Sequence, residues 1–361
     1  MKRAFLIFIF LFLWAVSFAT DHYAITGTTW GAGGTTWAAT SGGSATLGDP
    51  TSSDAVIFDA SSPNVTCSGS PVGLSLTTTG YTGTISGAGI SLYIYGNITL
   101  SATTVISTTS FGIRASGTFT ANGATISSSA VYFNGTGATI DLGGDITVAG
   151  ELSFGGGTIN TNNYNISAGH FTSTFTVVRV VNLGSSILTL TGTSGVTLSG
   201  SNLTFNAGTS TIKFTNTSAT GITFAGGGYT FYDVWFDRGA STGTITVTGT
   251  NTFNSFRYNN GSAARTIIFP NVTTTIAAGG LLLGGSSGNL LTLARTGGSG
   301  TMTISVASGT ICLDYLSISN SAATGGATFY AGAGSTDGGG NTGWTFTACP
   351  SANTSNFFFK P

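Results

Sequence analysis

The segment Asp233-Val234-Trp235-Phe236-Asp237 holds the most suggestive chemistry in this chain, two carboxylates flanking an indole. Side chains alternate between faces along a β-strand, so Asp233, Trp235 and Asp237 point one way and Val234 and Phe236 the other. An exposed aromatic ring between two acids can hold a sugar ring. Residues four apart on a strand are about 13 Å apart at the backbone, beyond the roughly 5–9.5 Å that paired glycosidase carboxyl groups need. Asp233, Trp235 and Asp237 are therefore a candidate ligand-binding face and not a catalytic pair. The competing reading is a solvated structural face on which Arg238 pairs with a neighbouring acid.

The remaining acids offer less. Asp141 and Asp145 flank Gly143-Gly144, a turn whose carboxylates would cap backbone N–H groups, without the repeating ligand array of a calcium-binding β-helix. Asp49, Asp54 and Asp59 lie five apart, which puts neighbours on opposite faces and suits turn positions. Glu151 is the only glutamate, and Lys213 and Lys360 are the only lysines beyond the leader, so general acid–base chemistry has little material. His22 and His170 are far apart in sequence, and the spacing of Cys67, Cys312 and Cys349 fits no zinc pattern. No nucleophile elbow or phosphate-binding loop is present. We expect no metal, no cofactor and no catalytic residue, and the pattern favours a protein that is not an enzyme.

Lys2 and Arg3 precede an apolar run from Ala4 to Val16 that closes in Ser17-Phe18-Ala19, the form of a signal peptide cut after Ala19. The apolar core is short for a membrane span, an uncleaved anchor being the alternative, and no later run is long enough to cross a bilayer. We therefore expect a secreted or cell-surface protein with no membrane span after cleavage. Of ten basic residues two belong to this leader, leaving eight against eleven acids, too little charge for a nucleic-acid footprint. The hydrophobic fraction of 40 % nonetheless supports an ordered fold. Fifty-six glycines with six prolines, amid abundant Ser and Thr, suit short strands joined by tight turns.

The elements that would position these side chains are strands. Leu92-Tyr93-Ile94-Tyr95, Thr211-Ile212-Lys213-Phe214 and Gly243-Thr244-Ile245-Thr246-Val247 alternate apolar with polar or small residues, and no apolar helical period persists beyond the leader. A longer period overlies them: Ile85, Ile106, Ile126, Ile146, Ile166 and Ile187 are spaced 20 or 21 apart. That spacing predicts an all-β fold, a parallel β-helix (β-solenoid) with coils of about 20 residues and stacked isoleucines, capped at both ends. Some 16 coils would make a rod of about 75 Å. The expected organisation is a signal peptide at 1–19, an N-terminal cap and first strands at 20–80, solenoid repeats at 81–310 and a closing segment at 311–361. Trp30 and Trp37, in the repeated Gly-Thr-Thr-Trp, read as cap packing.

Cys312 and Cys349 are 37 apart, just under two coils, so the chain can return one close to the layer of the other. Cys67 would lie many layers away. Export favours a Cys312–Cys349 disulfide, the alternative being three unpaired thiols.

Both ends carry a resemblance. Trp37 through Ser41-Gly42-Gly43, Pro50, Asp54-Ala55-Val56-Ile57-Phe58-Asp59 and Gly80-Tyr81-Thr82-Gly83-Thr84 resemble the start of uncharacterised secreted or phage-associated Gly/Thr/Ser-rich β-helix-like repeat proteins. Asp314-Tyr315-Leu316-Ser317-Ile318-Ser319, Gly325-Gly326-Ala327-Thr328-Phe329-Tyr330-Ala331-Gly332 and Asn341-Thr342-Gly343-Trp344 resemble that family's close. The resemblance implies a β-helix-like fold and export, and supplies no catalytic residues. The expected function is a secreted structural or adhesive surface protein, a rigid rod assembling into fibres or an envelope appendage. The alternative is a carbohydrate-binding or polysaccharide-cleaving β-helix. The expected partner is a second copy of the chain or a surface polysaccharide.

Overall fold

The computed structural model describes residues 19–259 and 263–350, and within them the chain is strand and turn with no helix. The expected leader, apart from Ala19, and the terminal Phe357 to Phe359 fall outside the described residues. Parallel strands stack as a β-solenoid of about 13 turns, each of roughly 22 residues. At about 4.8 Å per layer this gives a rod of about 60 Å, shorter than 16 coils would make. Coil length accounts for the difference. Steps of 20 or 21 run from Val65 to Ile85, Ile106 and Ile126, whereas steps of 22 to 25 run from Ile212 to Val234, Phe256 and Leu281.

The isoleucine series contains two ladders. Ile85, Ile106 and Ile126 pair in register, but Ile126 continues to Val148, not to Ile146. Ile146 begins a second ladder through Ile166, Leu188, Ile212, Val234 and Phe256. Ile106, Ile126, Ile146 and Ile166 are all buried. Ile187 faces solvent at 43 % exposure, and Leu188 takes the inward place, because a one-residue shift reverses the face. In the longer coils phenylalanines stack on one another from coil to coil. Phe214 stacks on Phe236 at 4.7 Å, and Phe231 on Phe253 at 5.7 Å.

Polar side chains tie coil to coil. Asn206, Asn182 and Asn160 each donate from Nδ2 at 2.7 Å to the Oδ1 of the next residue in the ladder, which ends on Asp141. Asp145 accepts the backbone N–H of Asn165 at 2.7 Å, as expected of a turn carboxylate, whereas Asp141 takes a side-chain amide instead. Asp49, Asp54 and Asp59 accept turn N–H or hydroxyl groups. Arg179, Arg238 and Arg265 are buried in the later coils, and their guanidinium groups donate to turn carbonyls such as those of Ser201, Thr220 and Ser241. Buried charge is tolerated where most of its donors are matched in this way, Arg265 Nη1 being without a hydrogen-bond partner among the described residues.

The ends are closed differently. Near the N-terminus Tyr23 and Ala24 pair antiparallel with Ala38 and Trp37, crossing the parallel stack and blunting its edge. Trp30 and Trp37 are fully buried, 5.7 Å apart and edge to face, and their indole N–H groups reach Val72 O and Asp49 Oδ1. Near the C-terminus Trp344 packs on Phe329 at 5.2 Å, and Cys312 is bonded to Cys349 with Cα atoms 5.5 Å apart. Cys312 faces outward and Cys67 is a buried free thiol.

Candidate functional site

Strands Thr211–Phe214, Thr230–Phe236 and Thr252–Tyr258 lie side by side in one face of the solenoid. Val234 and Phe236 point into the core, fully buried, which leaves Asp233, Trp235 and Asp237 on the outer face. Register then sets their neighbours: Thr211, Asp233 and Ser255 form one row, and Lys213, Trp235 and Arg257 the next.

Both faces of the Trp235 ring are therefore occupied. Lys213 Nζ lies 4.0 Å from the ring centroid and the Arg257 guanidinium carbon 4.5 Å from it, each from an adjoining coil. Asp233 was expected to lie outward, but it is covered, with 6 % exposure. It accepts two hydrogen bonds from Arg257, from Nε at 2.8 Å and from Nη2, and one from Thr211 Oγ1 at 3.1 Å. Asp237 pairs with Lys213 at 2.9 Å and accepts Asn259 Nδ2 at 2.7 Å. Burial raises the Asp237 carboxyl, but the Lys213 and Asn259 hydrogen bonds and the lysine charge outweigh it and hold the group below its ordinary value. Arg238, expected to pair with an acid on a solvated face, is instead fully buried and donates to the carbonyls of Asn216, Ser218, Thr220 and Gly243.

The two cations and two aspartates thus neutralise one another across three coils, and the indole is clamped between cations. A sugar ring has no open face of Trp235 to stack on. Beside it lies a cleft of about 490 Å³, bordered by Trp235, Arg257 and Asn259 and walled by Leu281, Leu282 and Leu283. Its lining is mainly apolar, and its Arg257 and Asn259 side chains are already hydrogen-bonded to aspartates.

A second cluster escaped the reading of the sequence. Glu151 and His170 stand in register on adjacent strands, 3.6 Å apart between Oε2 and Nε2, and Thr172 Oγ1 donates to Glu151 Oε1. Tyr132 and Tyr93 lie on the same outer face, with the Arg114 guanidinium 4.1 Å above the Tyr93 ring. The legible signal was the offset: Glu151 and His170 are 19 apart, one short coil, and so stand in register. Among the described residues no three His, Cys, Asp or Glu side chains are grouped to hold a metal ion.

No family model matches this chain, and no curated protein or solved structure matches it either.

Proposed function

We propose that this chain is a secreted structural or adhesive protein, a rigid extracellular rod that presents a surface and assembles with further copies of itself. The observation that carries the reading is the pairing on the Asp233–Trp235–Asp237 face. Its charges and its indole are committed to neighbouring coils, as befits an inter-coil clamp and not a site awaiting ligand. Export is supported at the N-terminus. Thr20, the first residue after the expected cut, has its nitrogen 3.2 Å from Asp54 Oδ1, so cleavage would place a new ammonium group against a carboxylate. Sparse charge on the flanks also favours self-association, since few like charges keep copies apart.

Fractionation of producing cells, with surface labelling of intact cells and sedimentation of the released protein, tests the reading. We expect the chain outside the cytoplasm and self-associating with concentration. Release of new reducing ends from a polysaccharide panel would support the cleaving alternative and overturn the structural one.

A further inference from the structure

The cluster around Glu151 is not explained by the needs of a rod. Elsewhere inter-coil contacts are made largely by Thr, Ser and Asn, yet here the chain's only glutamate meets one of its two histidines on one outward face. Register lines up Tyr93, Gly112, Tyr132, Ser153 and Thr172 along the rod, with Glu151 and His170 in the row beside them. A side chain at Gly112 would strike the Tyr93 ring, its Cβ meeting Cδ1 at 2.5 Å, so Tyr93 fills that gap under Arg114. Tyr132 is half-buried, with the small Ser153 as its neighbour in the following coil. Burial, and then the nearby Glu151 charge, push its phenol up from the ordinary value, so it remains a hydrogen-bond donor at neutral pH.

An apolar wall stands on the other side of this row. Residues 174–178 are exposed, and Phe175 turns back over Gly155, where an added Cβ would lie 3.3 Å from Phe175 Cε2 and 3.1 Å from Asn134 Cγ. Phe175 is 37 % exposed and Val178 66 %. Polar groups that accept and donate thus stand next to apolar and aromatic surface, a combination that matches the hydroxyl edge and the C–H face of a pyranose. Glu151 with His170 and Arg114 gives no strong net field, which suits a neutral sugar more than an anionic one.

We propose that Tyr132, Glu151, His170 and Phe175 form a binding subsite for a neutral glycan chain, separate from the Trp235 face. Thr172 holds one Glu151 oxygen, leaving the oxygen nearer His170 to accept from sugar hydroxyls. Phe175 packs against the sugar's C–H face. The subsite binds without cleaving, because glycoside hydrolysis needs a second carboxyl group roughly 5–9.5 Å away. Asp141, on the preceding coil, is in register with Asn160, nine residues along the strand from Glu151, and is hydrogen-bonded to it.

Calorimetric titration of the exported, folded protein with cellohexaose, xylohexaose and chitohexaose tests this. At least one should bind saturably. E151Q and F175S should each weaken it at least tenfold, with unchanged melting temperature, while W235A leaves the affinity within twofold. Y132F, which keeps the ring, separates loss of the hydroxyl from loss of packing and should weaken binding several-fold. Absence of saturable binding to all three sugars would overturn the proposal, as would retention of affinity in both E151Q and F175S. Loss of affinity in W235A alone would also overturn it. None of these outcomes depends on where the protein is located or whether it self-associates, so the rod reading stands or falls separately.

Discussion

At the scale of single residues, Trp235 behaves as a clamp. Removing its ring in W235A deletes two cation–π contacts, each worth about 0.5–1 kcal/mol at a partly exposed site, so denaturant unfolding should show a loss of about 1–2 kcal/mol. R257M should cost more, about 2–3 kcal/mol, because it leaves the covered Asp233 carboxylate without its bidentate partner. Equal losses in the two variants would contradict the clamp. Asp237 adds a pH dependence. Its folded value is depressed, so its contribution is complete above the ordinary carboxylate value of 3.8 and is lost as pH falls from there through the folded value. D237N should flatten the stability profile in that acid window and lower stability near neutrality, where the Asp237 contribution is complete. The alternation of Asp233-Val234-Trp235-Phe236-Asp237 was legible in the sequence, and the faces fall as alternation requires. What covers Asp233 was not legible, since Arg257 and Thr211 are 24 and 22 residues away and meet it only through inter-coil register. Glu151 and His170 were passed over for the same reason. Cys67 is a further case of burial deciding chemistry: desolvation pushes its thiol up to about 12, so it should resist alkylation until the chain unfolds.

At the scale of strands and coils, the isoleucine period announced a solenoid but blurred two ladders into one. Between Ile126 and Val148 the coil gains two residues, and at Ile187-Leu188 the inward position moves by one. Counting isoleucines cannot detect either change, because Val148 and Leu188, not isoleucines, take the inward places there. Leu188→Ala should therefore cost about 2–5 kcal/mol, while Ile187→Thr stays within about 0.5 kcal/mol. A reversed order in urea melts would show that the register is wrong. The late coils were harder to read because phenylalanine replaces isoleucine as the stacking residue and their lengths vary.

At the scale of the whole rod, stability depends on the ends, where terminal layers have a neighbour on one side only. The Cys312–Cys349 bond closes a loop of about 38 residues and should contribute about 4 kcal/mol on the chain-entropy estimate, holding the last coils against fraying. Peptide mapping without reduction should recover the segments around both cysteines as one species, and reduction should speed exchange of amides in the final coils before the rest. Free thiols at both positions in exported protein would remove the staple. The central claim, an extracellular rod, is tested most directly by the N-terminal sequence and location of the protein made by intact cells. Protein recovered from outside the cytoplasm should begin at Thr20, its ammonium group set against Asp54. Recovery of the chain from the cytoplasm still beginning at Met1 would contradict the account.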